Sequence, residues 1–526
     1  MRNTYILTTL LLLFFAGVAK GEKADSLKRI PNLQKREMQI LNQQWVNTDN
    51  AAGMSLSKVD RGSFTTLGYY KDGGDYHKVQ QGSKNSGFLF RTERYDRFSD
   101  KILVRGTFSF SNNKEYDRGW SDVINTYNAN PFIFGSSVRG DYEKQQFDLN
   151  LKVYSVTSGK FNFGVTVDYK VADIARQRDP RSRTYMLDYS LIPSMLVSLN
   201  DKHKVGIDLY YRFSKEKMPG LNTIQTDPNL KYYTFSGVEF LDGKIGGYKG
   251  FSRQFLSDIV GGGLQYNYFG NDIKLLVSFG IDAQWEQTLG DKKQSPGSYN
   301  SFNYRLLSDL LVKRGDILHN LRLSGAVKDG GADEFRQNQI TSRDPVTGIT
   351  TETWETIYVY KNRFIAKTAN IKADWRIIKS DKSGMGYKWI AGIEGGYSQF
   401  SNYHYLPSSV YEAGKANGGI NGLVRLLSNK GRTLELKASV NAGIKTSTKL
   451  EAALENEAVT NILEPDIQFH DRNTIDINGD LRYTFPFKLG KVSNILGYAK
   501  IYGGNIFASG SKQWYSAGLS IGILTL

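Results

Sequence analysis

One pattern constrains this chain more than any other. Strict alternation of apolar and polar side chains recurs in about sixteen short stretches, with nothing helical between them. From Ile273 to Trp285 the odd positions are Ile273, Leu275, Val277, Phe279, Ile281, Ala283 and Trp285. Even positions include Lys274, Ser278, Asp282 and Gln284. A period of two gives a strand one apolar and one polar face. The segments are 102–110, 145–155, 161–171, 185–199, 205–214, 260–268, 273–285 and 302–313. They continue as 321–328, 369–379, 385–399, 416–427, 432–446, 473–487, 494–506 and 513–524. Phe64–Lys71 and Gly87–Tyr95 are weaker members.

The connections alternate as well. Residues 156–160, 200–204, 269–272, 314–320, 380–384, 428–431 and 488–493 are brief and rich in turn formers such as Asn200-Asp201 and Gly270-Asn271. Between them lie longer connections, 111–144, 172–184, 215–259, 286–301, 329–368, 400–415 and 447–472. Short turns on one side and long loops on the other are the asymmetry of outer-membrane barrels. The expected fold is all-β: one closed antiparallel transmembrane β-barrel of about eighteen strands, with sixteen as the alternative and fourteen if edge segments are loops. Its short turns face the periplasm and its long loops the cell exterior. Pro193 falls on the apolar face of 185–199, where a bulge or an earlier strand end is expected.

Composition agrees. Mean hydropathy is −0.43, and beyond the first residues no segment offers the apolar run of a spanning helix. A barrel needs only alternate residues facing lipid. Residues 1–21 read as a signal peptide: Arg2, the apolar run Ile6 to Val18, then Ala19-Lys20-Gly21. The absence of cysteine excludes disulfides, thiolate metal sites and a lipoprotein anchor. The formal charge of +16 suits attraction to outer-membrane lipid and lipopolysaccharide. Nucleic acid is not expected, because no basic helical stripe exists.

Three regions follow: the signal peptide, a periplasmic segment or partial plug over 22–62, and the barrel over 63–526. After Pro31-Asn32, Leu33, Ile40, Leu41 and Trp45 share one face of an expected helix, either on the periplasmic rim or entering the lumen. Trp285, Tyr211, Phe213, Tyr169, Tyr185 and Trp514 are expected at the outer rim. Phe161, Phe163, Tyr266, Tyr268, Trp389, Phe485 and Phe487 are expected at the inner one.

The signal peptide, the segment Trp45-Val46-Asn47-Thr48-Asp49-Asn50-Ala51-Ala52-Gly53 and the glycine- and tyrosine-rich strands together resemble Bacteroidota outer-membrane β-barrel proteins of unknown function. Asn50-Ala51-Ala52-Gly53 is also similar to the Asn-Pro-Ala step of fatty-acid-transporter barrels, without its proline. Leu526 departs from the terminal aromatic of barrel assembly signals, while Leu519, Ile521 and Ile523 keep the alternation. The resemblance implies a Gram-negative outer-membrane location and a role accessory to TonB-dependent uptake.

Catalytic, metal and cofactor sites are not expected. The five histidines are His77, His203, His319, His404 and His470, none on a strand face beside a serine. His470-Asp471 with Glu464 and Asp466 is the nearest approach to a protease pair or cation site, against a solvated acidic loop. Asp72-Gly73-Gly74-Asp75 and Asp329-Gly330-Gly331-Ala332-Asp333 read as turns, since neither has full calcium-loop spacing. The remaining functional surface is the polar face. Its expected lumen-lining charges are Lys170, Asp168, Arg212, Asp208, Lys274, Asp282, Arg305 and Asp309. Arg322, Lys372, Asp374, Arg376, Lys437, Glu435, Asp480 and Arg482 complete the set. Such charges either cross-link a filled lumen or line a water-filled path. Function is therefore expected to be transport-related, as a pore or as a subunit beside a TonB-dependent receptor. The alternatives are a surface barrel that binds a lipoprotein or polysaccharide through its long loops, and a barrel lipase or protease.

Overall fold

The computed structural model describes residues 38–57, 59, 61–157, 159–224, 230–245, 250–381, 386–429, 431–489 and 492–525. The signal peptide, Leu33 and Leu526 lie outside these residues. The strands are β1 (Gly62–Gly74), β2 (Lys84–Ser99), β3 (Ile102–Arg118), β4 (Phe134–Ser136), β5 (Gly140–Ser155), β6 (Phe161–Arg176) and β7 (Arg181–Ser198). Next come β8 (His203–Met218), β9 (Leu221–Asn222), β10 (Lys231–Gly237), β11 (Phe240–Ile245), β12 (Arg253–Phe269), β13 (Ile273–Gly290), β14 (Gly297–Arg314) and β15 (Ile317–Arg343). The last are β16 (Thr350–Ser380), β17 (Tyr387–His404), β18 (Ser409–Asn429), β19 (Arg432–Glu451), β20 (Thr474–Leu489), β21 (Val492–Ala508) and β22 (Lys512–Thr525).

Eighteen of these strands pair antiparallel in chain order, and β1 closes on β22 from Ser63↔Thr525 to Gly74↔Trp514. Closure removes the unpaired edges that a sheet cannot carry in lipid. The exterior repeats the apolar rows of the sequence: Leu209 is 65% exposed and Ile420 62%. On that outer face Trp285 stands toward the outer end of β13 and Phe161 and Phe163 at the inner end of β6, while Tyr211, expected at the outer rim, falls in the middle of β8.

Two local expectations change. Pro193 causes no bulge: β6 and β7 keep one register through Val165↔Pro193. The ladder to β8 instead skips from Leu191↔Tyr211 to Ser194↔Asp208 without a shift, so the missing amide is absorbed locally. The outer connections are also less irregular than their lengths imply. Strands run on past the apolar belt, leaving only 177–180, 291–296, 344–349 and 405–408 between β6–β7, β13–β14, β15–β16 and β17–β18. β15 and β16 are 27 and 31 residues long, well beyond what crosses a bilayer. Beyond Glu334 and Phe364 they pair only with each other, as a projecting ribbon.

The connections 119–139, 219–252 and 452–473 remain long, and their described residues fold. β4, β10 and β11 form a small antiparallel sheet, and helix α1 (Glu464–His470) begins with Pro465 in its first turn. No helix among the described residues is long and apolar enough to span a membrane.

Candidate functional site: the barrel interior

All sixteen charges expected in the lumen lie on the face opposite the exposed apolar rows, as the strict alternation requires. Most are engaged by neighbours. Asp309 holds Arg322 at 2.7 Å and accepts from Asn320 Nδ2 at 2.8 Å. Asp282 holds Arg305 at 3.3 Å. Arg376 pairs with Asp374 at 2.7 Å, Lys372 with Glu394 at 2.8 Å, and Arg212 with Asp188. Asp168 accepts from Asn150 at 2.6 Å and Ser190 at 2.8 Å, and Lys170 lies 4.0 Å from Asp148. Asp208 accepts from Gln265 Nε2 at 2.6 Å. Lys274 lies over the Phe269 ring at 5.7 Å. Glu435 joins Arg482 and Arg425, and accepts from Tyr387 Oη at 3.1 Å. Asp480 pairs with Lys500 at 3.2 Å, and Lys437 lines the inner cavity beside them.

The alternation does not show what sits between these walls. Residues 38–57 lie inside the barrel: Met38 and Leu41 pack on Leu318, Ile378 and Tyr387 of β15–β17, and the stretch from Gln44 onward lies mainly against the inner halves of β5–β8 and β12–β14. The expected helix does not reach Trp45: residues 38–41 are helical, and 3₁₀ turns follow at Gln44–Asn47 and Ala52–Leu56. Trp45 is 3% exposed and packs with Tyr95, Leu103, Tyr154, Leu196 and Leu276. Its Nε1 donates to Asn267 Oδ1 at 2.9 Å. Gln44 Nε2 donates to the Asp309 carbonyl at 2.5 Å, and Asn50 Nδ2 to Gln265 Oε1 at 2.8 Å. From the wall, Lys152 Nζ reaches the Thr48 carbonyl at 2.6 Å and Thr166 Oγ1 the Asp49 carbonyl at 2.8 Å. Asp49 meets Arg305 at 3.0 Å.

Wall glycines make room for this segment. A Cβ at Gly164 would lie 2.5 Å from the Ala52 amide nitrogen. One at Gly206 would lie 2.8 Å from both Asn50 Nδ2 and Trp45. Any side chain at either position collides with the docked chain. Inward-facing glycines on otherwise filled strands, together with the small residues Ala51-Ala52-Gly53, were the available signal for this contact.

The outer mouth is filled by its loops. Phe132, Phe134, Tyr232 and Phe251 pack on the inward Phe255, Tyr299 and Phe364 of the wall. Buried Asp122 accepts from Tyr142 and Tyr232 hydroxyls, each at 2.6 Å. α1 lies beside them, with Phe469 stacked on Tyr76 at 4.3 Å. Asp466 accepts from the Val79 amide at 2.7 Å, and burial pushes its pKa up to about 6. His470 packs against Phe400 at 5.0 Å, and burial, then the Lys78 and Lys415 charges, push it down to about 3. Asp471 turns to Lys445 and Thr448, so no His470–Asp471 catalytic pair forms. The other histidines also lie on aromatic rings: His77 on Trp514, His203 on Tyr268, His319 on Trp375 and His404 on Phe240. Asp75 is held by Lys512 and the Gln513 amide, and Asp329 by Lys367. No group of three metal-ligating side chains gathers among the described residues.

Between segment and loops lies a cavity of about 790 Å³. Asn47, Thr48 and Asp49 line its inner side and Tyr76 its outer side, with Arg305, Lys372, Lys415 and Asp476 on the walls.

Eighteen closed strands, an apolar exterior and a polar interior occupied from both ends define a transmembrane β-barrel. The chain belongs to a family of unknown function (DUF6850), whose sequence pattern spans residues 51–525. No curated protein matches it. Among solved structures it is similar to the copper transporter OprC, at 10% identity over 88% of this chain and 80% of that one, with a TM-score of 0.39. It is also similar to the FrpB iron transporter of Neisseria meningitidis, at 7% identity over 89% and 82%, with a TM-score of 0.38. A FadL homologue of Pseudomonas aeruginosa matches at 10% identity over 90% and 91%, with a TM-score of 0.33.

Proposed function

We propose that this barrel passes small polar solutes across the outer membrane of a Gram-negative cell, and that residues 38–57 close its inner end until displaced. The observation that carries this reading is the polar cavity held between the docked segment and the folded loops inside an apolar-faced barrel. The segment is bound mainly by neutral hydrogen bonds, with one half-exposed ion pair to Arg305 and one buried ammonium contact from Lys152, and water can replace the neutral contacts when it leaves. Conductance in planar bilayers tests it. The full chain should conduct poorly, and Trp45→Ala or Gly206→Leu should raise the open fraction about tenfold or more, since each removes or blocks a main docking contact. Equal, absent conductance in all three refutes the passage.

A second reading is favoured by the projecting ribbon. Ile340, Val346, Ile349, Ile357 and Tyr358 are exposed there, and both strands present unpaired edges. In this reading the barrel is an accessory that holds a TonB-dependent receptor or a surface lipoprotein. Removing residues 338–355 should abolish co-purification of such a partner from outer membranes while leaving conductance unchanged.

A further inference from the structure

The cavity wall carries two kinds of polar group. Its charges all have protein partners: Arg305 pairs with Asp49 and Asp282, Lys372 with Glu394, and Asp208 accepts from the Gln265 amide. Asp476 accepts from Asn478 Nδ2 at 2.8 Å. Lys415 donates to the Tyr76 hydroxyl at 3.4 Å. The second kind is uncommitted. Asn370, Asn417, Asn441, Ser324, Ser398 and Thr474 line the cavity and make no side-chain hydrogen bond among the described residues.

Amides and hydroxyls each donate and accept. A wall made of them matches a ligand whose every group also does both. A carboxylate or phosphate would use only their donors, and a cation only their acceptors. The space is also kept clear by glycine. A Cβ at Gly396 would lie 2.9 Å from the Ile371 carbonyl, and one at Gly443 2.5 Å from Thr474 Oγ1. The volume falls within the range of small-molecule sites, about 300–1,000 Å³.

We infer that the cavity binds an uncharged, hydroxyl-rich solute of the size of a short oligosaccharide, a statement that rests on the passage reading above. The charged groups, already held by protein partners, then act as orienting groups, and affinity comes from the free amides.

The test is equilibrium binding of maltotriose to the purified full-length protein in detergent, by titration calorimetry, with gluconate and spermidine as charged probes. Saturable maltotriose binding is expected, unchanged between low and high salt because no ligand charge is screened. The pair Asn417→Leu and Asn441→Leu, in a protein whose heat-modifiable migration shows a folded barrel, should weaken it about tenfold. Tighter, salt-sensitive binding of either charged probe overturns the inference, as does no maltotriose binding at millimolar concentration. Sugar binding without conductance would sink the passage reading alone. Conductance without sugar binding would sink this inference alone.

Discussion

The two halves of the lumen are satisfied in different ways. Along β5–β8 and β12–β14 the inward groups are met by a separate piece of chain: Asn267 by Trp45, Gln265 by Asn50, Ser194 by the Ala52 amide at 3.1 Å. Along β17–β22 and β1–β3 the wall satisfies itself, with Glu435 between Arg425 and Arg482, Asp480 on Lys500, and Arg105 on Glu93 at 3.3 Å. The difference lies in what happens when a contact is lost. The neutral amides released by the segment can be hydrated at little cost, with Lys152 the one buried charge that would need water in place of Thr48, whereas a guanidinium deprived of its carboxylate inside the wall cannot be satisfied so easily. In the proposed passage, the first half is the one the segment vacates and the second the one that stays.

The largest effect should come from breaking the self-satisfied half. Glu435 has 3% side-chain exposure and two guanidinium partners. Glu435→Ala should cost on the order of 4 kcal/mol, read as a lower urea midpoint for the whole barrel. If the midpoint does not move, the charge network is not what rigidifies that side. Trp45→Ala comes next, and sharpens the contrast because its loss should be local. Removing the indole should cost the docked segment about 3 kcal/mol. Limited proteolysis should then cut within 38–57 while the urea midpoint of the barrel stays put. A shift of the barrel midpoint would show the segment to be structural and not removable. A smaller effect is expected at Lys372 and Glu394, whose side chains are 59% and 22% exposed. Breaking that pair with Glu394→Gln should cost under about 1 kcal/mol. A larger loss would place the cavity wall with the rigid half.

The barrel was readable because its physics is written along the chain. Each strand alternates, so Asp282, Arg305 and Lys372 could be assigned to the inner face from parity alone. Pairings across the lumen are not local. That Asp49 meets Arg305, or that Gly206 accommodates Trp45, depends on which walls face each other after closure. The outer mouth escaped for another reason. Tyr232, Tyr233 and Phe235 sit in a short strand within a stretch that lacks the long period-two pattern, so its small sheet looked like loop. Strand ends were underestimated too: above the membrane β15 turns largely polar, and Ile357-Tyr358-Val359-Tyr360 of β16 puts apolar residues on both faces, so the alternation fades while pairing continues.

The smallest expected effect concerns α1 at the outer mouth, whose two buried titratable groups are shifted more by burial than by charged partners. Asp466 is pushed up to about 6, so its contribution to docking is full below about pH 4 and is lost as pH rises through 6. His470 is pushed down to about 3, so its contribution is full above about pH 6.5 and is lost as pH falls through 3. Between roughly pH 4 and 6 the undocked helix carries its proton on His470 and the docked helix on Asp466. The two states then bind equal numbers of protons, and docking should be nearly flat with pH. Lys78, which faces both groups, keeps its sign throughout this window. Hydrogen exchange of the α1 amides checks this, and the variants expose each half of the cancellation. His470→Phe leaves Asp466 alone, and protection should fall as pH rises from 4 to 6. Asp466→Asn leaves His470 alone, and protection should rise over the same interval. Parallel slopes in the two variants would show that α1 is held by contacts other than these two groups, and would place the outer mouth on the permanent side of the comparison.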